Sequence, residues 1–148
     1  MPLDLRKVLM YVTRSRGASA ELLVFEHRNI PEAGIQVPAG TVEEGEPLEA
    51  AAARELEEES GLRGLVLRGP IDVYVYVHPE TGNRLHRHVF HADADHGLPE
   101  AWSTEPRGED EEKHRYVFEF RWMPLAEAKE TLAGEQGRSI DRLIRDRG

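Results

Sequence analysis

Apolar and polar residues alternate in several short runs along the chain, which is the pattern of half-buried β-strands. The first two runs are rich in Leu, Val, Tyr and Phe, and the polar residues 14–19 between them predict the turn of a β-hairpin. A later pair of runs flanks residues 79–83, whose Pro, Gly and Asn predict a second hairpin. The predicted strands are residues 5–13, 21–27, 35–37, 71–78, 84–91 and 116–122.

One long segment, residues 47–60, carries Leu, Ala, Glu and Arg with no internal Gly or Pro, and it predicts a helix. Pro47 suits the first helical position, and Gly61 suits the residue just past the end. Two shorter helices are predicted for residues 124–132 and 138–145, while residues 40–45 and 94–112 are expected to be loops. The order of elements predicts a mixed sheet flanked by helices, in the α+β class.

Length, charge and composition narrow the class of protein. The 148 residues suit a single domain spanning 1–148. The absence of cysteine excludes disulfide scaffolds and thiol chemistry and favours a cytoplasmic protein, and no apolar run is long enough for a membrane span. A net charge of −9 disfavours binding to a nucleic-acid backbone. Of the 28 acidic residues, 14 fall in residues 43–59 and 100–112, which suggests a cation site, a solvated loop or both.

The predicted helix places carboxylates where apolar residues are expected. At about 100° per residue, Glu55, Glu58 and Glu59 share a face with Ala51 and Ala52. Burying unpaired carboxylates costs several kcal/mol, and Arg54 is expected to serve only one or two of their oxygens. A hard divalent cation, Mg²⁺ or Mn²⁺, would offset that cost. The alternative is an ordinary charged helix surface with an Arg54–Glu58 pair one turn apart.

The preceding loop favours the cation site, because with the helix it forms a spaced motif. Nine positions within 23 residues match a known pattern: Gly40, Glu46, Arg54, Glu55, Leu56, Glu58, Glu59, Gly61 and Leu62. In these positions the chain resembles the Nudix hydrolases, and every fixed position of their motif is present. The resemblance implies an α/β/α sandwich around a mixed sheet. It also implies Mg²⁺-assisted hydrolysis of the diphosphate linkage between a nucleoside diphosphate and another moiety.

The resemblance also implies roles for individual residues. Glu55, Glu58 and Glu59 would bind the metal, together with the carbonyl oxygen of Ala39. Glu55 or Glu58 would accept the proton from water, unless the base comes from residues 105–112. Glu46 would accept hydrogen bonds from Arg54, which would orient the ligand glutamates.

Four further residues are interpreted less directly. Gly40 and Gly45 would permit backbone dihedrals that a side chain forbids. Arg28 would hold a phosphate, or would be a surface arginine. Trp102 would stack on a nucleobase, or would fix its loop to the core. Gly40 and Trp102, together with Arg28, are the residues expected to contact the substrate.

The substrate and the assembly stay open at this level. ADP-ribose or a nucleotide sugar is slightly favoured over a (di)nucleoside polyphosphate, and capped RNA is a weaker candidate because of the charge. A nucleotide-binding regulator without turnover is the competing class of function. The expected partner is a small nucleotide, and a homodimer is permitted by analogy only.

Overall fold

The computed structural model describes residues 1–94, 97–106 and 116–147, with side chains described as far as residue 144. These residues form seven strands, three α-helices and a 3-10 turn at Pro31–Ala33. The strands are β1 Asp4–Arg16, β2 Ser19–His27, β3 Ala39–Thr41, β4 Arg68–Val77, β5 Arg84–Asp93, β6 Ala101–Thr104 and β7 Phe118–Pro124. The helices are α1 Leu48–Ser60, α2 Leu125–Thr131 and α3 Ile140–Arg147.

The seven strands form one mixed sheet. Six of them follow the order β4-β5-β1-β2-β7-β6, and β3 pairs with the N-terminal half of β1. β1 and β5 run parallel, whereas the other pairs are antiparallel. The predicted mixed sheet and α+β class are therefore confirmed.

Helices cover both faces of the sheet, because successive strand residues point to opposite sides. On β1, Val8 and Met10 pack in one core cluster with Ala52 and Leu56 of α1. The intervening Leu9 packs in a second cluster, together with residues of α2 and α3. The result is the α/β/α sandwich that the resemblance implied.

The first hairpin is tighter than the sequence suggested. The predicted six-residue turn is largely strand, since Arg14 pairs with Glu21 and Arg16 pairs with Ser19. Only Gly17 and Ala18 remain between the strands, and Gly17 has a φ of +61°. The polar residues that suggested a loop extend beyond the core, where strand pairing continues without burial.

Three other local predictions were wrong. Residues 35–37 form no strand and keep only an isolated bridge between Phe25 and Gln36, because the carbonyl of Ile35 and the N–H of Val37 bond to the connection between α2 and α3. Two short strands, β3 and β6, lie inside segments predicted as loops. Pro47 is the N-cap of α1 and lies outside the helix, with extended dihedrals.

Among the described residues, no helix combines the length and the apolar character needed to cross a bilayer.

Candidate active site

The ends and the buried face of α1 position the acidic residues. The helix begins after Pro47 and ends at Gly61, whose left-handed φ of +82° lets its N–H bond to the carbonyl of Glu57. Ala51 and Ala52 are fully buried, and such small side chains allow the helix to approach the sheet closely. The next turn of the same face carries Glu55 and Glu59, which are therefore brought against the sheet.

Two of the three predicted glutamates are buried. Glu55 is 4% exposed and Glu59 is 6% exposed, while Glu58 is half-buried. Glu57, between them, is more exposed and forms an ion pair of 2.8 Å with Arg63. A solvated helix surface does not describe this face. The Arg54–Glu58 pair of that interpretation is nevertheless present, with a separation of 3.2 Å.

Arg54 serves more oxygens than the sequence analysis allowed. Its Nε and Nη2 donate to the two oxygens of Glu46, at 2.8 and 2.9 Å. Its Nη1 donates to Glu55 at 2.8 Å and contacts both oxygens of Glu58. The expectation of one or two oxygens was wrong, because the guanidinium lies flat between the loop and the helix and uses several of its donors.

The contact with Arg54 changes the acidity of Glu46. Hydrogen bonding from the guanidinium lowers the pKa of Glu46 from 4.5 to about 2. Glu46 also accepts a hydrogen bond from the backbone N–H of Glu43, which closes the turn before α1. The loop, the arginine and the helix are thus connected by charge-assisted hydrogen bonds.

Gly40 is required for a different reason than its backbone dihedrals. It lies on β3 and has no positive φ, unlike Gly45, whose φ is +77°. A Cβ at Gly40 would overlap the carboxyl group of Glu55. The dihedral interpretation therefore fails for Gly40, where space for Glu55 is the constraint, and the positive φ supports it at Gly45.

The third glutamate is held by the sheet. The N–H of Ala39 donates to Oε1 of Glu59 at 2.9 Å. The hydroxyl of Thr104 on β6 donates to the backbone carbonyl of the same residue. Ala39, predicted as a metal ligand through its carbonyl, thus lies beside Glu59.

A cavity of about 810 Å³ opens beside these groups. One side, the acidic wall, is lined by Glu55, Glu58 and Glu59 of α1. The other side includes Lys7, Arg87 and Gln136, which we call the basic wall. Gly40 and Ala39 lie on β3 and also line the cavity. The volume is within the range of small-ligand sites.

The donor chemistry of the acidic wall suits a hard divalent cation. Carboxylate oxygens are the ligands that Mg²⁺ prefers, and the two buried carboxylates have little access to bulk water. Among the described residues, no three His, Asp or Glu side chains are gathered tightly enough to enclose an ion as placed. The glutamates fit a cation in kind, and as placed some of their oxygens are turned to Arg54 and to the N–H of Ala39.

Two predicted substrate contacts lie away from this cavity. Nε1 of Trp102 donates to the carbonyl of Ser60 at 3.0 Å, and its ring stacks on Phe120. Arg28 is exposed and contacts Glu119 at 3.3 Å and Ser103 at 3.4 Å. Neither residue lines the cavity beside the glutamates.

The acidic segment 100–112 is described only in part. Glu100 pairs with Arg14 and Arg16, and Glu105 lines a separate cavity that also includes Glu58. Residues 107–112 lie outside the described residues, so a base drawn from them stays a prediction.

The sequence analysis missed the basic wall. Lys7 and Arg87 lie on neighbouring parallel strands and are direct partners in the register. Gln136 lies in the connection between α2 and α3, and its Oε1 accepts a hydrogen bond from the N–H of Val37. No local motif marks these three residues. The one available signal was the presence of Arg87 inside an apolar strand run, where a charged residue needs a reason to be buried.

Curated relatives match parts of the chain. A putative mutator protein, MutT4, from Mycobacterium tuberculosis is 37% identical over 99 residues, which are 66% of this chain and 35% of that protein. An RNA pyrophosphohydrolase from Caulobacter vibrioides is 45% identical over 49 residues, which are 33% of this chain and 28% of that protein. The chain spans 17–35% of the length of the curated relatives it matches.

A solved structure and a family model cover nearly the whole chain. The NUDIX domain of NrtR from Shewanella oneidensis, crystallised with ADP ribose, superposes with a TM-score of 0.73 at 15% identity. The superposition covers 100% of this chain and 91% of that one, and it shows a shared fold. The model of the NUDIX domain matches residues 4–143. With the complete motif on α1 and its loop, this match shows that the chain belongs to the NUDIX domain family.

Proposed function

We propose that this protein is a metal-dependent pyrophosphohydrolase that cleaves the diphosphate linkage of a nucleoside diphosphate joined to another moiety. The observation that carries the proposal is the burial of Glu55 and Glu59 beside the half-buried Glu58, facing a cavity of nucleotide size. A protein that only used this helix for packing would gain nothing from buried carboxylates, since each one costs free energy without a cationic partner.

Nudix hydrolases generally use divalent metals such as Mg²⁺. In this chain Glu55, Glu58 and Glu59 would hold the cation, with the carbonyl oxygen of Ala39 as a further donor. A bound Mg²⁺ or Mn²⁺ would supply charge neutralisation for the diphosphate and would acidify a bound water.

The chain's own residues would position that chemistry. Arg54 holds Glu55 and Glu58 while Glu46 holds Arg54, so the carboxylates are oriented before any ligand arrives. Gly40 leaves the space that Glu55 occupies. Either Glu55 or Glu58 would accept the proton of the attacking water.

The favoured substrates are ADP-ribose and nucleotide sugars. The named ligand of the superposed NUDIX domain is ADP ribose, which supports this class. The match to an RNA pyrophosphohydrolase supports a second candidate, a polyphosphate group at the 5′ end of a nucleotide or dinucleotide. The acidic charge of the chain remains unfavourable for a long nucleic acid.

The test is hydrolysis of a substrate panel with Mg²⁺. The panel contains ADP-ribose, nucleotide sugars, diadenosine polyphosphates, nucleoside triphosphates and a 5′-triphosphorylated dinucleotide, with products separated by anion-exchange chromatography. We expect turnover of at least one diphosphate compound, its loss on chelation, and its loss in Glu58→Gln.

Glu57→Gln is the matched control, because Glu57 lies on the same helix but does not line this cavity. Turnover that survives Glu58→Gln, Glu59→Gln and chelation would contradict the proposed site. Tight nucleotide binding without any product would instead favour a regulator that binds nucleotides.

A further inference from the structure

Arg87 is a buried cation without a carboxylate partner among the described residues. Its side chain is on β5 and is only 6% exposed. Its Nη1 donates to the carbonyl of Gly134 and contacts the hydroxyl of Tyr74 at 3.5 Å. The ring of Tyr76 lies 4.2 Å from the guanidinium carbon. Within residues 1–94, 97–106 and 116–144, no Asp or Glu oxygen lies within 4.0 Å of this guanidinium.

Three other arginines, two on the same sheet and one on α1, have carboxylate partners within the protein. Arg14 pairs with Glu21, Arg54 pairs with Glu46, and Arg84 pairs with Asp4. Within the part of the chain that the structure describes, Arg87 contacts a carbonyl, a hydroxyl and aromatic rings, none of which carries a full negative charge. A buried charge in that condition is costly, and the cost falls when an anion enters beside it.

The sheet places Arg87 on the face opposite α1, because Arg87 shares the side of Val89 and Tyr74, which pack with α2 and α3. Thr41 of β3 pairs with Lys7 of β1, Lys7 pairs with Arg87 of β5, and Arg87 pairs with Tyr74 of β4. Neighbouring strands are about 4.8 Å apart, so the backbone of Arg87 lies roughly 10 Å from β3. Arg87 lines the same cavity as the acidic wall, but its side chain reaches the cavity from the opposite face of the sheet.

Gln136 adds a neutral donor to the same wall. It is 7% exposed, and the hydrogen bond from Val37 uses its Oε1, which leaves the Nε2 donors for a ligand in the cavity. The connection that carries it is fixed by two contacts: Tyr11 donates to the carbonyl of Gln136, and Arg87 donates to that of Gly134. The wall is thus held in place by the sheet.

We propose that Arg87 and Gln136 form an anion subsite for a phosphate group of the substrate other than the diphosphate that is cleaved. This inference rests on the proposed function, since it assigns the cavity to the substrate. It narrows the proposed substrates from ADP-ribose and nucleotide sugars to derivatives that carry an additional phosphate, either a phosphomonoester on a ribose or a downstream phosphodiester. A neutral nucleobase at this position would leave the guanidinium charge uncompensated.

The first test measures anion binding without turnover. Thermal unfolding is followed in EDTA with and without 20 mM inorganic phosphate, so that the metal site does not contribute. Phosphate is expected to raise the Tm of the unmodified protein by about 2–4 °C through preferential binding to the folded state. Arg87→Met should lose this shift. An equal shift in Arg87→Met would overturn the subsite.

Two further variants keep this test interpretable. Arg138→Met removes a cation that stacks on Tyr74 at 4.6 Å but does not line the cavity, so its shift should equal that of the unmodified protein. Arg87→Lys keeps the positive charge but loses the planar guanidinium group, so a smaller rise in Tm with phosphate should remain. This variant provides the test even where Arg87→Met folds poorly. Loss of the shift in Arg138→Met as well would contradict a local subsite.

The second test compares paired substrates. ADP-ribose is compared with its 2′-phosphate, and ATP with the 5′-triphosphorylated dinucleotide, which separates a phosphomonoester from a phosphodiester. In at least one pair, kcat/KM should favour the compound with the extra phosphate by about 10- to 100-fold, as expected for a charge-assisted contact. In Arg87→Met that ratio should fall toward one. No preference in either pair would overturn the inference.

The two proposals fail in different ways. If phosphate raises the Tm through Arg87 but no compound is hydrolysed, the subsite is supported and the proposed hydrolase activity fails. If hydrolysis depends on Glu58, but phosphate does not raise the Tm and substrates with an extra phosphate are not preferred, the hydrolase activity is supported and the subsite fails.

Discussion

The acidic wall and the basic wall of the cavity both hold buried charge, but the protein compensates the charge differently in each. Glu55 and Glu58 on α1 contact Arg54, which is itself held by Glu46. Arg87 on β5 has neutral partners among the described residues. A charge that is compensated inside the fold can be held ready for chemistry, whereas an uncompensated one is best explained by a ligand of opposite sign.

The two walls should also affect different kinetic constants. Groups of the acidic wall would act on charge that develops during the reaction, so their loss should appear mainly in kcat. Groups of the basic wall would hold a part of the substrate that does not react, so their loss should appear in discrimination between substrates. The following substitutions sharpen or break this comparison.

The largest effect is expected from Glu58→Gln. The substitution keeps the shape of the side chain but removes a negative charge from the acidic wall, and kcat should fall by roughly 10²- to 10⁴-fold. Steady-state kinetics with saturating Mg²⁺ would measure it. The Tm should change little, because Glu58 is only half-buried. If Glu58→Gln instead left kcat unchanged and reduced the differences in KM between substrates, Glu58 would act in substrate binding. The comparison between the two walls would then fail.

Gly40→Ala should have the next largest effect. The added methyl group would overlap the Glu55 carboxyl and force it to move, and a displacement of that kind can reduce kcat by about 10²-fold. The control is Gly45→Ala, where no atom of the described residues beyond its chain neighbours lies within 4 Å of the new Cβ but φ is +77°. That variant should lose about 1 kcal/mol of stability with kcat retained. Equal kcat values for the two variants would refute the steric role of Gly40.

Glu46→Gln should reduce kcat by about 10-fold, because Arg54 would lose its charged partner and orient Glu55 and Glu58 less well. It should also change the acid dependence of stability. The pKa of Glu46 is about 2 in the folded protein and 4.5 ordinarily, so its contribution is complete above pH 4.5 and is lost as the pH falls toward 2.

Urea unfolding at pH 6 and pH 3 would measure this change. The variant should be less stable at pH 6 by about 2 kcal/mol, and its stability should fall less on acidification than that of the unmodified protein. Glu44→Gln, an exposed neighbour in the same loop, is the control. An unchanged acid dependence in Glu46→Gln would show that the Arg54 contact does not stabilise the folded state.

The smallest effect on catalysis is expected from Trp102→Phe. The substitution removes the N–H that donates to the carbonyl of Ser60, and stability should fall by about 1 kcal/mol. Because Trp102 does not line the cavity, KM should stay within about twofold for every substrate. A tenfold rise in KM would instead support stacking of this ring on a nucleobase, which remains a prediction.

The acidic wall could be predicted because its residues are close together in the chain. Helical periodicity alone placed Glu55 and Glu59 on the face of Ala51 and Ala52, and the structure buries that face. The family resemblance implied a contact between Glu46 and Arg54, which is present. These interactions span at most one loop and one helix, so local geometry determines them.

Local patterns failed where pairing depended on distant strands. Residues 35–37 alternate like a strand, but the carbonyl of Ile35 and the N–H of Val37 bond to the connection between α2 and α3, which leaves a single bridge to β2. Residues 101–104 read as loop and became β6, because β7 offers them an open edge. The predicted reason for Gly40 was also wrong, since the atoms that a side chain would meet there belong to Glu55 of α1, 15 positions later in the chain.

The sequence by itself determined the acidic helix, the loop that precedes it and the family to which the chain belongs, because these depend on spacings within 23 residues. Only the tertiary structure decided which other residues line the cavity beside that helix. Lys7, Arg87 and Gln136 are separated by 80 and 49 positions in the chain (87−7 and 136−87). They meet because β1 and β5 pair in parallel and the α2–α3 connection packs against them. Such contacts are set by strand register and packing across the whole fold, which no local pattern of residues encodes.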